Sequence, residues 1–158
     1  MYYFIVVSYS FKVWKLNLST NAWTEITSFT GTAAPYRTTY YVEQWGSKAI
    51  LGLGWLSPSY RNDFYSLDFA TNPPTWATIT SQGASSPAPT QRYGSSIVIY
   101  GNKLILWGGA GFDNNANVYQ LDLTNNTWSS LTTSGGPTDY RPLSTHFLYD
   151  DKLIVLGG

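Results

Sequence analysis

No cysteine, one histidine and one methionine occur among the 158 residues of the chain. Without cysteine there is no disulfide, no thiolate nucleophile and no thiolate metal ligand, although the compartment stays undetermined. A lone histidine, His146, leaves a transition metal short of the convergent ligands it requires, so a hydrogen-bonded structural role is the expectation for it. Charge is also scarce. Asp, Glu, Lys and Arg make up 11% of the chain, against roughly 25% in an ordinary globular domain. The formal net charge is zero, and no Lys/Arg run exists to track a phosphate backbone, which argues against a nucleic-acid partner. No apolar stretch approaches the length of about 18 residues that a membrane helix needs. The opening YYFIVV is too short for a signal-peptide core and lacks a basic flank.

Aromatics, by contrast, reach 17%, a balance opposite to that of a disordered chain. Low charge with abundant Ser and Thr leans toward an extracellular setting, where the sequons at Asn17 and Asn125 would matter. Such triplets also arise by chance.

The aromatics are periodic. A phrase spelled VWKLNLSTNAW (Val13 to Trp23) returns as FYSLDFATNPPTW (Phe64 to Trp76) and as VYQLDLTNNTW (Val118 to Trp128). Trp23, Trp76 and Trp128 stand 53 and 52 residues apart. Arg37 to Lys48, Arg92 to Lys103 and Arg141 to Lys152 each span 11 residues, so the piece from arginine to lysine is rigid and length changes fall in the connections. Helical periodicity is nearly nil. Alternation and β-formers predict four short strands per unit, at 39–43, 49–53, 63–69 and 75–80, then at 95–100, 103–107, 117–123 and 127–131. The opening piece supplies strands at 2–7, 12–18 and 22–27, and the closing piece supplies 143–149 and 152–156. Gly101-Asn102 and Asn125-Asn126 read as hairpin turns. A small sheet with two apolar faces cannot cover both alone. Stacking sheet on sheet solves that, and the radial solution for four-stranded units is a propeller.

Gly108-Gly109 closes a strand and recurs as Gly157-Gly158, with Leu53-Gly54 at the equivalent place. Together with Tyr119 and Trp128, this pattern resembles the kelch repeat. Gly54, Tyr65 and Trp76 match with Leu53 replacing one glycine. Trp14 and Trp23 match with tryptophan in the tyrosine position. Arg141 and His146 resemble the arginine and histidine near the family's first strand. The resemblance covers nearly the whole chain and implies an all-β propeller segment of about three four-stranded antiparallel blades, in units near 1–30, 37–80, 92–132 and an incomplete 141–158. It also implies a protein-binding platform, although some relatives are enzymes. The copper-radical oxidases among them need two tyrosines, two histidines and a cysteine crosslink, and this segment has one histidine and no cysteine.

About three blades fall short of the four to eight or so with which propellers close. The expectation is that the chain is part of a longer one, or that it completes a ring with further copies of itself. Asp68, Asp122, Asp150 and Asp151 lie at hairpin turns, where carboxylates cap their own backbone. Arg37, Arg92 and Arg141 recur in register, which favours a repeated structural hydrogen-bond role. No phosphate-binding loop, nucleophile elbow or cofactor motif is present. The functional candidates are aromatics that break the repeat: Trp45 at a hairpin tip, and Trp55, Tyr60 and Arg61 around the 54–62 loop, whose counterpart runs through Phe112, Asp113 and Asn114. Loop aromatics outside the blade core anchor protein interfaces or stack on sugar rings. The resulting reading is a non-enzymatic protein-interaction or assembly module. A carbohydrate-binding module and the structural part of an enzyme with catalytic residues elsewhere are the alternatives.

Overall fold

The computed structural model describes residues 2–7, 12–84 and 87–158, with side chains described from Lys12 onward. Met1 and 8–11 of the first expected repeat unit, and 85–86 between the second and third, lie outside these. Every regular element among the described residues is a strand.

The opening sheet contains β1 (Tyr2–Val7), β2 (Lys12–Asn17) and β3 (Ala22–Ile26), in that order and antiparallel. Next come β4 (Thr30–Gly31), β5 (Tyr41–Trp45) and β6 (Lys48–Gly52). A small ribbon, β7 (Trp55–Leu56) with β8 (Ser59–Tyr60), interrupts the way to β9 (Phe64–Asp68) and β10 (Thr75–Thr80). The resulting sheet has five strands in the order β4-β10-β9-β6-β5. The third sheet follows β11 (Arg92–Tyr93) and runs β12 (Ser96–Tyr100), β13 (Lys103–Trp107), β15 (Val118–Asp122), β16 (Thr127–Leu131). Between β13 and β15 lies β14 (Ala110–Gly111), which pairs back on β11. A last hairpin joins β17 (Thr145–Tyr149) to β18 (Lys152–Leu156).

The all-β architecture stands, but the expected set of four-stranded antiparallel blades is corrected. Only the third sheet has that form. The second gains β4 as a parallel outer strand, because Thr30 donates its N–H to Pro74 O (3.0 Å) and covers an otherwise open edge. The opening sheet has three strands and the closing hairpin two. The ribbons β7–β8 and β11–β14 were unforeseen, being two residues per strand, too short for alternation to register.

Alternation does predict orientation in β15. Tyr119, Leu121 and Leu123 are buried while Val118, Gln120 and Asp122 are only partly so. The buried set faces the neighbouring sheet, where Ile50 and Phe64 join Ile97, Leu104 and Leu106 in one cluster. A second cluster holds Val13, Leu51, Tyr65, Leu67 and Trp76 between the first two sheets. Sheet-to-sheet stacking is therefore where the apolar area goes, and β5, β12 and β17 run side by side as consecutive inner strands. Phe64 touches Trp128 across the junction, with ring centroids 5.6 Å apart.

Glycines at strand ends permit the close approaches. A Cβ on Gly109 (φ 85°) would lie 2.2 Å from Ser95 Oγ and 2.8 Å from Tyr93 O. Leu53 fills the equivalent place of Gly108 with φ 57°, fully buried, a left-handed leucine held by its packing.

Candidate functional site

Each sheet has two ends. Tight hairpins close one; the longer β6-to-β9 and β13-to-β15 connections gather at the other. Trp55, Tyr60 and Arg61 lie together at the loop end, whereas Trp45 lies at the hairpin end. Trp45 is the last residue of β5, paired with Lys48 across a turn at Gly46-Ser47, rather than the tip. Gly46 takes the left-handed conformation (φ 58°) that the turn demands. The Trp45 indole donates to Asn102 Oδ1 of the next sheet's turn (3.3 Å) and lies under Lys48 Nζ.

At the loop end two arginines set the frame. Arg37 is fully buried and grips Asp63 through Nη1 to Oδ1 (2.6 Å) and Nη2 to Oδ2 (3.0 Å). Arg61 Nη2 also donates to Asp63 Oδ2 (3.0 Å), as does the Tyr65 hydroxyl (3.1 Å). Burial opposes ionisation of Asp63, but the bonds from Arg37 and Arg61 outweigh it and hold the carboxyl below its ordinary range. One sheet later Arg92 repeats the design. It donates to Gly108 O (3.0 Å) and to Asp113 Oδ1 (2.5 Å), with its guanidinium over the Tyr119 ring. Arg37 sits over Tyr65 likewise. The third arginine of the series, Arg141, is exposed and bonds Asp139 instead. Backbone bonds then lace the sheets together: Arg92 N–H to Arg61 O (3.1 Å) and Gly54 N–H to Arg92 O (3.1 Å).

On this frame stands a strip of rings. Trp55 and Tyr60, facing partners in the β7–β8 ribbon, have centroids 4.8 Å apart. Tyr60 stacks on Tyr93 of the next sheet (5.2 Å, interplanar 16°) and meets Phe112 edge-on (6.3 Å, 84°). Phe112 is 72% exposed. Arg61 acts in the frame below the strip, through Asp63 and Arg92. The sequence reading missed Tyr93. The signal was there: Tyr93 follows Arg92 where Thr38 follows Arg37, a ring breaking the repeat at a loop.

The remaining candidates have structural surroundings. His146 Nε2 accepts from Ile97 N–H (3.2 Å), satisfying an inner-edge donor, and its ring meets Tyr41 (5.8 Å). Burial pushes the Tyr41 hydroxyl up to about 12. Asp68 accepts from Ala70 N–H (2.9 Å) and Asp122 from Thr124 N–H (2.9 Å), the turn caps expected of them. Asp150 and Asp151 depart from that expectation. Both take left-handed conformations (φ 47° and 59°), and the Asp150 carboxylate pairs with Lys152 Nζ (2.6 Å). Among the described residues no group of three or more His, Cys, Asp or Glu side chains is placed to hold a metal ion. No helix among them is long and apolar enough to cross a membrane.

A family model described as the KLHDC2/KLHL20/DRC7 kelch-repeats domain matches residues 7–158. The chain belongs to the kelch-repeat family. Among curated relatives, an adagio-like protein 2 of Oryza sativa subsp. japonica is 31% identical over 141 residues, 78% of this chain and 22% of that protein. Tip elongation aberrant protein 1 of Schizosaccharomyces pombe is 27% identical over 156 residues, 92% of this chain and 13% of that protein. The alpha chain of the flagellar outer-arm dynein of Chlamydomonas reinhardtii is 35% identical over 80 residues, 50% of this chain and 2% of that one. The chain thus spans less than a quarter of the length of these relatives.

Proposed function

We propose that this kelch-repeat module is a protein-interaction platform that binds its partner at the loop end, through Trp55, Tyr60, Tyr93 and Phe112. One observation carries the reading: an aromatic strip crosses from one sheet to the next and ends in a phenylalanine ring that is 72% exposed. Rigid aromatics give large contact area at small entropic cost, which is why they dominate interface energetics. The arginines beneath are committed to Asp63 and Asp113, so the strip offers apolar contact with little free charge. Such a surface favours an uncharged, apolar segment of a partner over a phosphate or an acidic tail.

The test is to compare partner retention by the intact chain with that of Tyr60→Ala, Phe112→Ala and Trp45→Ala. Protein retention is expected to fall in the first two and to persist in the third, whose indole lies at the other end. Retention unchanged by Tyr60→Ala and Phe112→Ala overturns the assignment. A glycan screen in parallel addresses the stacked Tyr60–Tyr93 pair. Sugar binding lost on Tyr60→Ala, with no protein retained, would replace this reading by the carbohydrate-binding one.

A further inference from the structure

Three rings of the loop end carry polar tips that the fold leaves unused. Neither the Trp55 indole N–H nor the hydroxyls of Tyr60 and Tyr93 finds a hydrogen-bond partner among the described residues, and all three atoms stay open to solvent. Comparable tips elsewhere are engaged. The Tyr65 hydroxyl donates to Asp63 (3.1 Å), the Tyr119 hydroxyl accepts from Asn115 (3.3 Å), and the Trp45 indole donates to Asn102 (3.3 Å).

The backbone under the strip is engaged as well. Trp55 exchanges both of its main-chain bonds with Thr38, each 2.8 Å long. Tyr60 O accepts from Gln82 Nε2 (3.2 Å), and Phe112 N–H donates to Gln91 O (3.3 Å). A peptide therefore cannot add here as a further strand, because strand addition needs a row of free main-chain donors and acceptors. The rings themselves form ridges. Trp55 is tilted 60° and Phe112 84° to Tyr60, while Tyr60 and Tyr93 lie nearly parallel. Positive charge is neutralised below, where Arg61 is held by Asp63 and Arg92 by Asp113. The Asp113 carboxylate, 40% exposed and next to Phe112 in the chain, disfavours an acidic ligand.

A ridged apolar surface with side-chain donors and an engaged backbone suits an uncharged ligand rich in acceptors and poor in donors. An ordinary peptide brings one N–H for every carbonyl, and each N–H that docks unpaired is costly. Proline brings the carbonyl alone. In polyproline II these carbonyls are free of internal bonds, and the chain is ordered before it binds. One turn of that helix rises about 9 Å, the reach of two successive ring contacts at 4.8 and 5.2 Å.

We infer that the loop end takes a proline-rich segment of the partner protein in the polyproline II conformation. Its rings lie against the aromatic ridges, and its carbonyls accept from Trp55, Tyr60 and Tyr93. The inference rests on the loop end being the binding surface and names the chemistry of what binds there.

The test titrates the whole chain with N-acetyl-hexaproline amide, using N-acetyl-(Ala-Gly)3 amide as control. The Trp55 indole N–H resonance, identified by its loss in Trp55→Phe, is expected to shift saturably with the first peptide and not with the second. Tyr60→Phe and Tyr93→Phe keep the rings and remove one donor each. Each is expected to weaken hexaproline binding about 3- to 10-fold, the worth of one neutral hydrogen bond. No shift at Trp55 up to the solubility limit overturns the inference, and so does undiminished affinity in both phenylalanine variants. If partner retention still falls in Tyr60→Ala and Phe112→Ala, either result leaves the platform reading standing and removes only the proline-rich ligand. Full retention in those alanine variants, with hexaproline binding that depends on both hydroxyls, would instead uphold the proline site and overturn the platform reading.

Discussion

The Arg37 guanidinium and the Asp63 carboxylate meet in a two-bonded pair, 2.6 and 3.0 Å long, with neither side chain exposed. The pair ties the strap before the inner strand to the start of β9 and carries the loops on which the aromatic strip stands. Removing one partner strands the other's charge where solvent does not reach, so Asp63→Ala is expected to cost about 3–5 kcal/mol. Urea titration of wild type and variant measures this directly. A cost under about 1 kcal/mol, the value of an exposed pair, would show that the site is wet.

The same pair sets an acid sensitivity. The folded Asp63 carboxyl is held below its ordinary value of 3.8. Its contribution is therefore fully present above that value and is lost as pH falls through the lower, folded value. The Tm of wild type is expected to fall with acid in that window more steeply than that of Asp63→Asn. Parallel curves would assign the acid loss to other carboxylates.

Gly109 is held left-handed with Ser95 Oγ and Tyr93 O in the space a Cβ would need. Gly109→Ala is expected to destabilise by more than about 1 kcal/mol, since alanine fits neither the backbone conformation nor the space. Gly101→Ala, left-handed too (φ 59°) but with nothing near its Cβ, isolates the backbone part. Equal losses in both would remove steric approach from the account.

Much of the fold is legible in the sequence because stacking requires rings at fixed offsets. Tyr65 and Tyr119 are buried under their arginines as the repeat implies. Arg37 and Arg92 take the structural role that their register foretells, whereas exposed Arg141 does not share their burial. What periodicity could not reveal is pairing outside the repeat. β4 adds to β10 through two residues, and Thr30-Gly31 carries no strand signal. For the site, Trp55 and Tyr60 stood out as rings in a loop. Tyr93 did not, because its role depends on a contact between sheets that no local pattern encodes. Trp45 stood out equally, and only the structure places Asn102 against its indole.

Phe64 closes the junction between the second and third sheets, so Phe64→Ala is expected to cost about 3–5 kcal/mol. Its ring lies against Trp128, and the variant's tryptophan fluorescence should shift accordingly. A loss below about 1 kcal/mol would mean that the neighbouring sheet collapses into the space.

Phe112→Ala is the most direct test of the loop end as a binding surface. The ring is 72% exposed, so its removal is expected to leave stability within about 0.5 kcal/mol while partner binding falls. Measured on one preparation, unchanged Tm with lost protein retention is the result predicted. Unchanged Tm with full retention would contradict the claim that the aromatic strip is where this kelch module meets its partner.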